Sequence, residues 1–171
     1  MHSPFCFSVL FISVSREVSF VSMYLLRNQF NGEYLYLLFV LLICVSTDIG
    51  GYVIGNLIKG PKLSKISPKK TYSGMLGGFL FPIIFSYFFL KSPLIEFTKN
   101  ITLEILTFII IISAISQTGD LIVSYFKRVS KIKDTGKIIP GHGGMLDRID
   151  GMIFALPLSL IILLTDIISI F

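Results

Sequence analysis

Charge is what this chain has least of. Only 15% of its 171 residues are charged, and just ten are acidic. A soluble domain of this length carries about a quarter charged residues. The shortfall leaves too little polar surface to cover a globule in water, and it excludes most soluble enzyme and nucleic-acid-binding classes. Cysteine is nearly absent too. Cys6 and Cys44 stand far apart in apolar runs, without a His or second Cys at ligand spacing. That excludes a disulfide framework and a thiolate zinc site and leaves both as packing residues. No Lys or Arg precedes the first apolar run, so the basic start of a secretory signal is missing. Internal repeats and low-complexity tails are also lacking.

What remains is apolar. Hydrophobic residues make up 53% of the chain, and the mean hydropathy is +0.82. A membrane-spanning helix needs about 20 mostly apolar residues. Four stretches qualify: 34–58 with one charge, Asp48; 71–90 with none; 105–126 with one, Asp120; and 151–171 with one, Asp166. Backbone groups in lipid must pair within their own segment, so these are expected to be helices. Gly77, Gly78 and Pro82 predict close packing or a kink in the second. Residues 4–26 are apolar but interrupted by Arg16 and Glu17, which makes them a poor span. The expected fold class is an all-α polytopic membrane protein with four transmembrane helices and an unassigned N-terminal apolar segment. Residues 1–30 form that segment, and residues 31–171 form one transmembrane domain.

The loops differ in charge. Residues 59–70 carry Lys59, Lys62, Lys65, Lys69 and Lys70 and no acid. Residues 127–148 carry Lys127, Arg128, Lys131, Lys133, Lys137 and Arg148 against Asp134 and Asp147. The connection 91–104 is neutral. Positive loops stay in the cytoplasm, so both basic loops are expected there. For 59–70, a purely topological or lipid-headgroup role stands level with a catalytic one. For 127–148 it does not, because the cations alternate with glycines, a histidine and carboxylates.

A charge at mid-span costs roughly 2.5–3.5 kcal/mol on insertion scales. Asp120 lies about 9 Å of helical rise before Phe126. It reads either as a helix-end carboxylate paired with a nearby Lys or as part of a polar pocket open to the cytoplasm. The second reading is preferred because further carboxylates follow on the same side. Asp147 and Asp150 share a helical face just after His142, Gly143 and Gly144. Glycines there let a phosphate approach the backbone, and a helix start favours an anion. Clustered carboxylates suit Mg²⁺. Lys127, Arg128, Lys133 and Arg148 can neutralise phosphate oxygens. Together these residues predict phosphoryl or nucleotidyl transfer beside a membrane, without naming the nucleotide or the lipid.

The run Ser124-Tyr125-Phe126-Lys127-Arg128, Lys133-Asp134, Gly136, Ile139-Pro140, His142-Gly143-Gly144-Met145 and Asp147-Arg148-Ile149-Asp150 resembles the characteristic motif of phosphatidate cytidylyltransferases. Asp48-Ile49-Gly50-Gly51-Tyr52-Val53-Ile54-Gly55 and Ser67-Pro68-Lys69-Lys70-Thr71 are similar to two shorter stretches of that family. The matches span roughly residues 45–158. The resemblance implies transfer of CMP from CTP to phosphatidate, with Mg²⁺ and, in some members, a monovalent cation. By position, Asp120 and Asp147 would be metal ligands and Asp150 a weaker one. Lys127, Arg128, Lys133, His142 and Arg148 would hold phosphates. Ser67 and Lys70 would close over the nucleotide. CTP, phosphatidate and membrane lipid are the expected partners, nucleic acid is not, and a homodimer is left open. The expected location is the inner (cytoplasmic) membrane, multi-pass, with the active site facing the cytoplasm. Two departures stand out. Tyr72-Ser73 replaces the family's Trp-Glu, and fewer spans precede this region than in the family, so the chain is expected to be a shortened homologue. A CTP-dependent polyisoprenol kinase-like enzyme, a transporter using Asp48 and Asp120 as a cation path, and an inactive remnant are the competing readings.

Overall fold

The computed structural model describes residues 4–28, 34–63, 70–92, 102–129 and 150–165. These residues form five helices: α1 (Pro4–Asn28), α2 (Leu35–Ile58), α3 (Tyr72–Leu90), α4 (Leu103–Val129) and α5 (Met152–Leu164). The all-α polytopic expectation holds. Four helices are long and apolar enough to cross a membrane: Ser8–Asn28 within α1, then α2, α3 and α4.

The set of four differs from the one read from the sequence. Residues 4–26 looked like a poor span because of Arg16 and Glu17, yet they are helical throughout. The two charges part company around the helix: Glu17 is exposed, and Arg16 is turned inward beside the buried stripe Ser8, Ile12, Ser19, Ser22 and Leu26. The segment 151–171 looked like a full span, but its described helix has 13 residues, about 20 Å long. Residues 166–171 lie outside the described residues. Gly151 lies against Ser116, part-way along α4, so the chain is already inside the bundle when α5 begins.

The tightest helix pair is α2 with α3. A Cβ on Gly50 would stand 2.3 Å from the Gly77 carbonyl oxygen, and a Cβ on Gly77 would stand 2.5 Å from that of Gly50. A Cβ on Gly74 would meet the Gly51 carbonyl oxygen at 2.7 Å. Small residues here let the two backbones touch, the packing mode that helices use in lipid. The expected close packing is therefore present, and α3 runs through Pro82 without ending.

The short connection from α2 to α3 is held at both ends. Lys59 ends α2 in the left-handed region (φ 45°), with its N–H bonded to the Gly55 carbonyl. Leu63 N–H donates to the Lys70 carbonyl at 2.8 Å, and Tyr72 N–H to that of Pro61 at 3.1 Å. Thr71 then caps α3, its hydroxyl accepting from Gly74 N–H at 3.1 Å. These bonds fix where Lys70 leaves the backbone.

The main core joins α2, α4 and α5 through Phe39, Ile43, Phe108, Ile112, Leu156 and Leu160. Phe39 stacks on Phe89 and Phe108, with ring centroids 5.6 and 6.3 Å apart. Cys44 is buried in this core, as a packing residue should be. Some buried hydroxyls bond between or within helices: Thr47 reaches the Ser113 hydroxyl at 3.2 Å, and Ser159 the Leu156 carbonyl at 2.8 Å. Large apolar side chains such as Leu76, Leu80, Phe88 and Ile161 point outward. An outer surface of this kind matches lipid rather than water.

Candidate functional site

α2, α3 and α4 enclose a cavity of about 350 Å³, within the size range of small-molecule sites. Asp48 and Gly51 come from α2, Lys70, Thr71 and Gly74 from the start of α3, and Gln117 and Asp120 from α4. Each wall has a local cause. The glycine contacts bring α2 against α3. The Thr71 cap sets where α3 begins. Gln117 ties α4 to α3 through the Met75 carbonyl at 3.5 Å.

Lys70 and Asp120 form an ion pair across the cavity, each side chain about 30% exposed. Sequence reasoning weighed Asp120 as a carboxylate paired with a nearby Lys against Asp120 as a pocket residue. Both descriptions apply, since the lysine that pairs with it also lines the cavity. An ion pair open to water at this level contributes little stability, of order 0–1 kcal/mol. It therefore leaves both groups available to a ligand of matching charge.

A second ion pair lies nearby and is of a different kind. Lys127, two turns beyond Asp120 on α4, bonds Asp150 just before α5. Both side chains are buried, 8% and 4% exposed. Removing one partner from such a pair strands a charge.

Asp48, Lys70 and Asp120 thus line one cavity, and Lys127 and Asp150 form a separate pair further along α4. A family model described as "Cytidylyltransferase family" matches residues 2–165, nearly the whole chain.

The chain belongs to the cytidylyltransferase family.

It is 38% identical over 170 residues to a phosphatidate cytidylyltransferase of Staphylococcus haemolyticus, covering 96% of this chain and 60% of that one. It is 43% identical over 130 residues to the same-named protein of Staphylococcus epidermidis strain RP62A, covering 75% and 49%. Against that of Staphylococcus aureus strain COL the identity is 37% over 170 residues, covering 96% and 60%. The chain spans about three fifths of the length of the curated relatives it matches.

Of the residues singled out in the sequence, Lys70 and Asp120 meet directly, and Lys127 and Asp150 pair with each other. Arg128 is exposed at the end of α4. Ser67, Lys133, His142, Gly143, Gly144, Asp147 and Arg148 lie outside the described residues. Sequence reasoning gave Thr71 and Gln117 no site role, and weighed Asp48 only as part of a cation path in the transporter reading. The signal for Asp48 was available, because a lone carboxylate in the middle of an apolar span needs a polar surrounding.

Proposed function

We propose that this chain carries the nucleotide-handling part of a membrane enzyme that transfers CMP from CTP to phosphatidate, giving CDP-diacylglycerol and pyrophosphate. One observation carries the reading: Asp48, Lys70 and Asp120, from three separate segments, line one cavity between apolar helices. Family membership and relatives named phosphatidate cytidylyltransferase support the choice of reaction.

The chemistry is a displacement at phosphorus. A phosphate oxygen of phosphatidate attacks the α-phosphorus of CTP. The bond from that phosphorus to the oxygen bridging to the β-phosphoryl group breaks, and pyrophosphate leaves with the electron pair. The product joins CMP and phosphatidate through a new pyrophosphate linkage. The attacking oxygen is already anionic at neutral pH, so no strong general base is needed. The work falls to positioning and charge neutralisation.

Lys70 supplies a cation on the cavity wall and would exchange Asp120 for a phosphate oxygen when nucleotide enters. Ser67 is its partner in closing over the nucleotide. Asp48 and Asp120 present carboxylate oxygens to one space, the hard donor chemistry that Mg²⁺ takes. Among the described residues no group of three His, Cys, Asp or Glu forms a closed metal cage. That also fits Mg²⁺, which binds through one or two carboxylates and otherwise through water and substrate phosphates. Asp120 and Asp147 would hold it, with Asp150 engaged by Lys127 instead. When bound, Mg²⁺ would neutralise charge on the phosphate oxygens; a monovalent cation is a further candidate for the same cavity. Arg128, Lys133, His142 and Arg148, with the Gly143-Gly144 turn, would contact the remaining phosphates.

The basic stretches 59–70 and 127–148 support a site facing the cytoplasm in the inner (cytoplasmic) membrane, by the positive-inside rule. CTP then arrives from the cytosol while the acyl chains of phosphatidate remain in lipid. The test is CTP-dependent formation of CDP-diacylglycerol in purified membranes, with Asp120→Asn and Asp147→Asn alongside. The wild-type chain is expected to make product and both variants to fail. Equal product from all three would overturn the site.

A further inference from the structure

We propose that Arg16 of α1 is a phosphate-binding residue, whose buried Nε and Nη2 form a site with Lys127 at the start of α5. The inference deepens the reading above and rests on its phosphate chemistry.

Three observations lead to it. The Nε and Nη2 atoms of Arg16 are buried and have no hydrogen-bond partner among the described residues. Its position on α1 is fixed by neighbours on either side. Ile12, one turn earlier, packs on Val123 and Ile153. Ser19, one turn later, donates its hydroxyl to the Ile153 carbonyl at 2.6 Å. Arg16 therefore faces the first turn of α5, and Asp150 lies just ahead of that turn, buried and bonded to Lys127.

Charge counting does the rest. Among the described residues, Arg16 and Lys127 supply two cations, and Asp150 supplies one carboxylate, which Lys127 engages. Leaving the two buried guanidinium nitrogens without an anion is costly. A long cationic side chain often snorkels to water, but here Nε and Nη2 stay inside the protein. The guanidinium fork matches two oxygens of a phosphate. The anion that completes this cluster is a phosphate group, supplied by either the lipid or the nucleotide.

The purified chain in detergent decides. Thermal stabilisation would be titrated with dioctanoyl phosphatidate, with CTP, and with dioctanoylglycerol as the phosphate-free control, in wild type, Arg16→Met and Arg16→Lys. Arg16→Met is expected to melt no lower than wild type without ligand, because it removes a buried charge and keeps the stem. It should weaken binding of one phosphate ligand about tenfold to a hundredfold, the loss of a charged hydrogen-bond pair. Arg16→Lys should recover part of that loss. The ligand affected identifies the source of the phosphate. Unchanged response to both phosphate ligands overturns the proposal, as does no response in wild type or an Arg16→Lys variant no better than Arg16→Met. Turnover of the wild-type chain is scored separately. Absent CDP-diacylglycerol would then sink the reaction, while the binding response judges Arg16.

Discussion

Gly50 and Gly51 are neighbours in sequence, and the structure predicts opposite outcomes for the same substitution at each. In Gly50→Ala the new methyl would sit 2.3 Å from the Gly77 carbonyl oxygen and 2.7 Å from Phe81 Cβ. Two of its three nearest atoms belong to the α3 backbone, so no side chain can swing aside; the helices must part. Overpacking of this sort costs about 1–3 kcal/mol. For a chain of this size each kcal/mol moves the melting temperature by about 2–4 °C, so the expected fall is about 2–12 °C. In Gly51→Ala the methyl would meet the Gly74 carbonyl oxygen at 3.6 Å, an ordinary contact. Alanine is also the better helix former, by up to about 1 kcal/mol. That variant should melt at or slightly above the wild-type temperature. The chain has no tryptophan, so the assay is heating in detergent followed by size-exclusion chromatography of what remains folded. Equal shifts for the two variants, or a lower melting temperature for Gly51→Ala, would refute the backbone contact between α2 and α3. Separation of those helices also moves Asp48 away from Lys70, so Gly50→Ala should lose turnover at temperatures where it is still folded.

Other substitutions separate the two ion pairs. Lys70→Met should change stability by no more than about 1 kcal/mol, because the pair is open to water, yet raise KM for CTP at least about tenfold by removing one charged contact. Lys127→Met should destabilise by about 3–5 kcal/mol because it strands buried Asp150. Adding Asp150→Asn should return at least half of that, a coupling read by a double-mutant cycle in thermal denaturation; additive losses would refute a direct pair. Chelation of divalent ions should abolish product formation, and added Mg²⁺ should restore it, measured by lipid chromatography of the reaction.

Much of the architecture was legible because lipid imposes a simple rule: long apolar runs must be helices. That rule located α2, α3 and α4, and the Gly77-Gly78 pair announced a close helix contact. It failed for α1, where counting Arg16 and Glu17 as two interruptions ignored that adjacent helical residues point in different directions. For α5 the described residues cover only part of the expected span, and composition did not say at what depth the helix starts, which the contact of Gly151 with Ser116 shows. In the site, Asp120 was legible as a carboxylate expensive to bury. Its partner Lys70 stood out from the other lysines of the basic loop only through the family resemblance, as a residue closing over the nucleotide and not as the partner of Asp120. The choice among them is made by tertiary structure, through the bonds of Leu63 and Tyr72 to the loop backbone and the Thr71 cap. The pairing of Lys127 with Asp150 was equally hidden, since both had been read as facing ligands.

The most direct measurement follows two labels from CTP into lipid. Membranes bearing the wild-type chain and its Asp120→Asn variant would receive phosphatidate with CTP carrying ³²P at either the α or the γ position. Label from the α position should appear in the lipid phase with the wild-type chain, label from the γ position should leave as pyrophosphate, and Asp120→Asn should reduce transfer by about a hundredfold or more. Lipid labelled from the γ position, or α-label transfer undiminished in Asp120→Asn, would contradict the assignment of this cavity to cytidylyl transfer.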